Sequence, residues 1–443
     1  MTRHDAPESK RASIDPPAAV VGIARKLEDA GFETWCVGGA VRDALLGKQH
    51  LDWDFATAAR PEQVRKIFRR TVPVGIEFGT IGVLDEANVM HEVTTFRRDV
   101  QTDGRHAVVE FGASFDEDLA RRDFTINAIA YSPTRAVLHD PFRGERDLRA
   151  RVVRAVGDPG DRMREDRLRA LRAIRFAARY GFEIEPRTWA AIVESAPHMS
   201  RLSPERVRQE MEKTMDQVPC PSGAFARWRD GGAFGTLIPD LSGVTDLQLR
   251  AIDHLRRPIL ATRPQRRLLR IAALLSAVPA GRAANVMKSL RFSNAAGGWI
   301  SSLIEALARL EPVMRTSLES PAGAADADIR RWVSVAGRTR FASVVRLADA
   351  IWWAEREAGL PAPAAAKIAS LHRRALRIAY RDPVELGDLA VDGTDLQKLG
   401  IAGPALGKAL HALLEAVVRD PSLNTPDRLL SLAKNGSPTR PDA

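Results

Sequence analysis

The hydrophobic pattern of this chain changes near Arg162, and the change divides the sequence into two kinds of structure. Before it, short runs rich in β-branched and aromatic residues alternate with helical patterns, which is typical of an α/β arrangement. After it, Leu, Ala and Arg recur at helical spacing almost to the end of the chain. The sequence therefore predicts an α+β fold, in which a mixed-sheet N-terminal domain is followed by an all-helical remainder.

The predicted elements of the first part are four strands and four helices. The predicted strands are Thr34–Val37, Trp53–Thr57, Gly79–Leu84 and Val89–Phe96. The predicted helices are Ala18–Ala30, Ala40–Leu46, Pro61–Phe68 and Phe115–Ala128. In the helical part, Pro and Gly interrupt the periodicity at Val218–Ser222, Ser320–Asp326 and Gly359–Ala365. We expect a disordered tail at 1–17, a head at 18–157, a neck at 158–217, a body at 218–322 and a tail at 323–443.

Composition limits the class of protein. Lys and Arg number 66 against 56 Asp and Glu, and a net charge of +10 suits a polyanionic partner. Cys36 and Cys220 are the only cysteines and have no Cys or His at ligand spacing, which argues against a disulfide framework or a zinc site. No run approaches the roughly 18 apolar residues of a membrane span. We expect a cytoplasmic protein that does not bind membranes.

A predicted strand-to-helix turn contains the adjacent glycines Gly38 and Gly39, with Arg42 following. Paired glycines let the backbone turn sharply, and their N–H groups beside a helix N-terminus favour phosphate. Alone, this short pattern is also typical of an ordinary turn.

Asp52 and Asp54 follow that turn and flank Trp53. On a strand, residues two apart point to the same face, so the two carboxylates would project together while Trp53 and Phe55 face the core. Adjacent carboxylates repel unless a cation lies between them, and Mg²⁺ is usually held by one or two carboxylates plus substrate phosphates. An isolated pair of this kind is more often a solvated strand end.

Two further segments carry charge on predicted helices. In the first, Arg122 could meet a triphosphate, and Asp123 and Asn127, one turn apart, could hydrogen-bond to each other. The second, an amphipathic helix, contains Asp166, Arg169, Arg172 and Arg175. Taken alone, each segment is better explained by surface charges and ion pairs.

Together and in this order, these four elements resemble the class II CCA-adding tRNA nucleotidyltransferase and poly(A) polymerase family, a branch of the DNA polymerase β superfamily. The resemblance covers Val37 to about Met211. It implies a polymerase β-like head followed by a helical neck, body and tail. It also implies that Asp52 and Asp54 are catalytic and bind Mg²⁺. The implied nucleotide contacts are Gly38, Gly39, Arg42, Arg122, Asp123, Asn127, Asp166, Arg169, Arg172 and Arg175.

The family's choice of bases agrees with simple hydrogen-bond chemistry. Cytosine and adenine present an amino donor beside a ring-nitrogen acceptor, whereas uracil and guanine present a carbonyl beside an N–H. A carboxylate that accepts and a guanidinium that donates therefore match C and A, and Asp166 and Arg169 would be such a pair. The resemblance then implies addition of CCA to tRNA without a template, from CTP and ATP, with release of pyrophosphate.

Three alternatives remain open from the sequence. The chain could be a poly(A) polymerase, or a partial tRNA nucleotidyltransferase that adds only A or only CC. It could also be an inactive RNA-binding helical protein. Glu92 could be a third active-site carboxylate or a salt-bridged strand residue, and the polar segment 97–106 could be a functional flexible loop or a tolerant hairpin.

Overall fold

A computed structural model describes residues 14–48, 52–102, 107–255 and 263–436. The chain forms two compact units. The first contains the residues up to Thr214 together with Arg227–Pro239, and the second contains Met215–Ala226 and the residues from Asp240 onward.

All the strands in the described part of the chain belong to the first unit. They are β1 Thr34–Val37, β2 Asp54–Thr57, β3 Thr71–Gly75, β4 Thr80–Leu84, β5 Met90–Thr95, β6 Arg97–Thr102, β7 Ala107–Phe111, β8 Ala130–Ser132, β9 Val137–His139, β10 Val152–Val153 and β11 Glu183–Ile184. The strand assignment confirms the predicted mixed sheet and places it in the N-terminal part of the chain.

Helices occur in both units. They are α1 Ala18–Asp29, α2 Gly39–Leu45, α3 Pro61–Ile67, α4 Phe115–Ala120, α5 Gly144–Ala150, α6 Pro159–Glu165, α7 Leu168–Tyr180, α8 Pro186–Ser195, α9 Pro204–Gln217, α10 Ser222–Asp230, α11 Ala233–Leu237, α12 Asp246–His254, α13 Arg263–Leu275, α14 Ala280–Ser289, α15 Asn294–Glu319, α16 Asp326–Ala336, α17 Phe341–Glu357, α18 Ala365–Arg381, α19 Gly393–Lys398, α20 Pro404–Arg419 and α21 Pro426–Gly436. None of the helices in the described part of the chain has both the length and the apolarity that a membrane crossing requires.

The main sheet has seven strands in the order β3-β4-β5-β2-β1-β8-β9. Strands β2 and β5 run parallel, and the other neighbours are antiparallel. One of its hydrophobic clusters contains Trp35, Val37, Ala56, Phe96, Phe115, Leu119 and Ala130. Strands β6 and β7 pair with each other as a separate two-stranded sheet. The polar segment 97–106 thus contributes β6, and its residues 103–106 lie outside the described part of the chain.

Two predictions for this unit were wrong. The helix predicted over Phe115–Ala128 ends at Ala120, because the next backbone groups bond elsewhere: the N–H of Thr125 donates to Arg154 O at 2.9 Å, and that of Val156 to Asp123 O at 3.2 Å. Strand structure also does not end at Arg162, since β11 pairs in parallel with β10. Tertiary hydrogen bonds override local periodicity at both places.

In the second unit, helices end at the predicted breaks. Short non-helical connections separate α9 from α10, α15 from α16 and α17 from α18. The buried Arg270 side chain contacts the connection between α9 and α10. It donates hydrogen bonds to the carbonyl oxygens of Leu255 at 3.2 Å, Val218 at 3.2 Å and Pro219 at 3.1 Å. The bonds to Val218 and Pro219 satisfy carbonyls just beyond the end of α9, and the bond to Leu255 satisfies one at the end of α12. The five-domain division predicted from the sequence stays a prediction.

Candidate active site

The glycine turn joins β1 to α2. Gly38 has φ +76° and ψ −131°, a conformation that side chains other than glycine rarely adopt. A Cβ on Gly38 would lie 3.4 Å from Nη1 of Arg122. The turn therefore depends on glycine for its backbone conformation, and the Arg122 guanidinium lies directly beside it.

The two predicted catalytic aspartates lie one strand away from the turn. Asp54 begins β2 and pairs with Val37, the last residue of β1. Asp52 is exposed and lies just before the strand, which starts one residue later than predicted. Trp53 and Phe55 are buried, as the two-residue alternation predicted.

The charges around Asp54 are mostly of its own sign. Burial is the largest influence and, with the Glu92 carboxylate and more weakly Asp52, raises the pKa of Asp54 to about 7, although the Arg122 guanidinium opposes this shift. Glu92 is beside Asp54 because Phe55 on β2 pairs with Val93 on β5. A bound cation would remove this repulsion.

Arg122 is held in place from the preceding helix. Its Nη2 donates to Asp118 Oδ2 at 3.1 Å, and Arg121 pairs with the other oxygen of Asp118 at 3.0 Å. Burial raises the pKa of Asp118, but the charges of Arg122 and Arg121 outweigh it and hold the pKa below its usual value. Nε of Arg122 is buried and has no hydrogen-bond partner among the described residues.

Behind the turn, four of the predicted residues form one buried network. Asp123 accepts from Asn127 Nδ2 at 2.9 Å and from Arg172 Nε and Nη2 at 2.9 and 2.7 Å. Asn127 Oδ1 in turn accepts from Nη1 of Arg42. The predicted hydrogen bond between Asp123 and Asn127 is confirmed, although the helix that was to carry it does not form.

Arg42 is only 3% exposed and has several partners. Its guanidinium donates to Asp43 at 2.8–2.9 Å and lies over the rings of Phe176 and Tyr180, at 5.2 and 4.7 Å from their centroids. Tyr180 also donates to Asp43 Oδ1 at 2.8 Å. In this structure Arg42 braces the glycine turn against α7, and its direct contact with a nucleotide stays a prediction.

Asp166 and Arg169 are held by different partners, and their predicted contact with a base stays a prediction. Asp166 lies in the break between α6 and α7, so it is not on the same helix as Arg169. Its carboxylate accepts from Leu168 N at 3.0 Å and from Arg206 Nη2 at 2.7 Å. Arg169 donates to the carbonyls of Arg162 and Arg121, both at 3.0 Å.

Arg175 forms an ion pair with a glutamate of α9. Its Nε donates to Glu210 Oε2 at 2.7 Å, and both side chains are almost fully buried. A buried, paired guanidinium of this kind joins α7 to α9. Its predicted nucleotide contact stays a prediction.

Three comparisons with known proteins agree with one another. The family described as "Poly A polymerase head domain" matches residues 34–154, "Probable RNA and SrmB-binding site of polymerase A" matches 181–243, and tRNA nucleotidyltransferase domain 2 matches 264–433. A CCA-adding enzyme from Limosilactobacillus fermentum is 34% identical over 431 residues, which cover 96% of this chain and 98% of that protein. One from Geobacillus stearothermophilus is 34% identical over 432 residues, covering 96% and 99%.

The chain belongs to the class II CCA-adding tRNA nucleotidyltransferase family. Solved members of the family share its fold. The Bacillus stearothermophilus CCA-adding enzyme in complex with CTP superposes with a TM-score of 0.74 at 33% identity, covering 94% of this chain and 96% of that one. The Thermotoga maritima CCA-adding enzyme complexed with tRNA-CCA gives a TM-score of 0.65 at 20% identity, covering 94% of each.

Nucleotidyltransferases of this family generally depend on a divalent metal, and the carboxylates of this chain fit one. In the described part of the chain, no three His, Cys, Asp or Glu side chains could hold a metal ion by themselves. Mg²⁺, however, is usually bound by one or two carboxylates together with phosphates and water. Asp52 and Asp54 thus fit as half of a site that the triphosphate of a nucleotide would complete.

The sequence interpretation missed the residues that hold the arginines. Asp118 was not singled out, although its spacing of three and four residues from Arg121 and Arg122 is a recognisable helical ion-pair signal. Asp43 and Tyr180 were also missed, and their contact across 137 residues leaves no local signal.

Proposed function

We propose that this chain completes the 3′ end of tRNA by adding C, C and A from CTP and ATP without a nucleic-acid template. The observation that carries the proposal is the acidic edge of Asp52 and Asp54 beside the glycine turn and Arg122, in a chain that its CCA-adding relatives match almost from end to end. We further expect it to work in the cytoplasm, where tRNA and its nucleotide substrates are found.

In the proposed reaction, Asp52 and Asp54 hold Mg²⁺. The metal supplies Lewis-acid stabilisation of charge on the phosphoryl oxygens. Gly38 leaves room for the triphosphate to approach the backbone, and Arg122 offsets its negative charge from beside the turn. The RNA 3′-hydroxyl gives up its proton to solvent and attacks the α-phosphate in line. A new P–O bond forms as the bond to pyrophosphate breaks.

We propose that Asp166 and Arg169 select C and A at their amino and ring-nitrogen edges. Asp166 is held by Arg206, and Arg169 by the Glu165 carboxylate and two backbone carbonyls, so both side chains are fixed before a base arrives. Such preorganisation favours discrimination, because a mismatched base leaves buried polar groups unpaired at about 1–3 kcal/mol each. The variant Asp166→Ala should lose the preference for CTP and ATP over UTP and GTP.

A matched control for that variant is Asp161→Ala, which removes an exposed aspartate paired with Arg164 on the preceding helix. Single-nucleotide incorporation with each of the four NTPs measures both variants. An Asp166→Ala enzyme that keeps the original preference would contradict the proposed role.

We propose that the neck, body and tail hold the acceptor arm of tRNA by its shape and phosphates. The activity test uses purified protein, a tRNA lacking its terminal CCA, Mg²⁺, and CTP, ATP or both. The proposal predicts a product that stops after C-C-A. An A-only ladder would indicate a poly(A) polymerase, addition of only CC or only A would indicate a partial enzyme, and no incorporation would indicate an inactive RNA-binding protein.

A further inference from the structure

The sheet face that bears Asp54 continues across three more strands. Asp54 lies beside Glu92 by the pairing of β2 with β5, Glu92 pairs with Gly82 on β4, and Gly82 pairs with Val72 on β3. Directly opposed residues of neighbouring strands point to the same face of a sheet. One row of positions therefore runs from the catalytic carboxylates to the edge strand.

The row carries no charged side chain at Gly82, and the space over this glycine is filled by two apolar side chains. A Cβ on Gly82 would lie 2.8 Å from Sδ of Met90 and 3.1 Å from Cγ2 of Val74. These two side chains therefore meet above the glycine, on the carboxylate side of the sheet. We call Val74 and Met90 the apolar shelf.

The shelf is open to solvent. Met90 is 39% exposed and Val74 43% exposed. Ile76 and Phe78 are exposed in the same segment, so four of the thirteen exposed large apolar side chains in the described part of the chain fall between positions 74 and 90. A concentration of exposed apolar groups beside a reaction centre is typical of a binding surface.

The direction of the reaction shows which substrate reaches the shelf, and this step rests on the proposed function. Gly38 and Arg122, which would bind the triphosphate, lie on the β1 side of Asp54. In an in-line displacement the attacking oxygen and the leaving pyrophosphate are on opposite sides of the phosphorus. The RNA 3′-hydroxyl must therefore approach from the β5 side, which is the side of the shelf.

We propose that Val74 and Met90 bind the unpaired bases at the 3′ end of the RNA and so position its terminal hydroxyl. Unpaired bases present apolar faces, and contact with such a face does not depend on which base is present. This property suits an RNA end whose last base changes at each step of CCA addition. Val74 and Met90 would thus be positioning residues for the RNA, with no contact to the incoming nucleotide.

The test replaces both side chains, in the variant Val74→Ser/Met90→Gln, and measures ATP addition to a tRNA that ends in CC. We expect the KM for this tRNA to rise about 5–10-fold, because the variant loses the apolar surface that these two side chains would bury against a base. The KM for ATP should stay within about twofold, because the shelf lies away from the triphosphate side. A loss of folded enzyme would instead lower the apparent kcat and leave both KM values unchanged.

The matched control is Val137→Ser/Leu138→Gln on β9, at the opposite edge of the same sheet, where the two side chains are 44% and 39% exposed. It should leave the KM for tRNA unchanged. An unchanged KM in the shelf variant, or an equal rise in the control, would overturn the proposal.

A second measurement does not depend on catalysis. In the wild-type protein with labelled methionine methyl groups, the Met90 resonance should shift when tRNA ending in CC is added and should stay in place when ATP alone is added. Binding of tRNA without any shift of Met90 would also overturn the proposal. A wild-type enzyme that adds no nucleotide to any tRNA would refute the proposed function instead, so the two failures are distinguishable.

Discussion

Two aspartates of the same domain, Asp54 and Asp123, are both largely withdrawn from water, but their pKa values are shifted in opposite directions. Burial and the neighbouring carboxylate of Glu92 raise the pKa of Asp54 to about 7. Burial also raises the pKa of Asp123, but Arg172 and the hydrogen bond from Asn127 outweigh it and hold that pKa below its ordinary value. Burial is common to both, so the partners decide the outcome.

The comparison separates two kinds of polar residue at one site. Asp123 has its countercharge within the protein, and its network fixes the shape of the glycine turn. Asp54 has mainly like charges around it, with Arg122 as the opposing positive charge, and a bound cation would neutralise the remaining repulsion. Folded proteins accept such local destabilisation at functional sites and compensate for it elsewhere.

The largest expected effect comes from Asp54→Asn. Without its carboxylate the site loses a metal ligand, and nucleotide addition should fall by about 10³-fold or more. The free energy of unfolding in EDTA should increase by about 1–3 kcal/mol, because a buried charge beside Glu92 is removed. Steady-state incorporation assays and urea unfolding measure the two effects.

The control for that variant is Asp52→Asn. Asp52 is exposed, so its loss should reduce activity strongly with little change in the free energy of unfolding. If Asp54→Asn destabilised the metal-free protein, the contrast between the two aspartates would be wrong.

An effect on stability of opposite sign is expected from Asp123→Ala. The change leaves Arg172 and Asn127 without their shared acceptor. Removing one member of a fully buried charge pair costs about 3–5 kcal/mol. Because the Arg172 side chain is 32% exposed, we expect a smaller loss of about 2–3 kcal/mol. Asp123→Asn, which keeps one acceptor oxygen, should cost less. Urea unfolding followed by circular dichroism gives both values, and an Asp123→Ala protein as stable as wild type would contradict the structural role of the network.

The smallest expected effect is that of Tyr180→Phe. The phenylalanine keeps a ring beneath Arg42 and removes only the hydroxyl that donates to Asp43 at 2.8 Å. A single hydrogen bond contributes about 0.5–1.5 kcal/mol to stability. Thermal unfolding should detect this loss, while Tyr180→Ala should cost more; equal losses would mean that the ring does not support Arg42.

The sequence predicted the parts of this site that depend on neighbouring residues. The alternation of Asp52, Trp53, Asp54 and Phe55 specifies which side chains are buried, because the two-residue period of a strand is a local property. The local sequence pattern likewise predicted the order of strand, glycine turn and helix.

Contacts between distant residues were not predictable in the same way. The bond from Arg42 to Asn127 spans 85 residues and that from Arg206 to Asp166 spans 40, and no period in the sequence records either of them. The prediction also placed Asp166 and Arg169 on one helix, whereas helix α6 ends before Asp166 and α7 begins at Leu168. The ion pair between Arg175 and Glu210 spans 35 residues, so the sequence pattern did not predict it either.

The most direct test of the contrast between Asp54 and Asp123 is a titration with Mn²⁺ followed by electron paramagnetic resonance, with a non-reactive CTP analogue present. We expect wild type and Asp123→Asn to bind Mn²⁺, and we expect Asp54→Asn to lose that binding. Without the nucleotide, wild type should bind Mn²⁺ much more weakly, since the two carboxylates form only half of a site. Equal Mn²⁺ binding by Asp54→Asn and wild type would contradict the account.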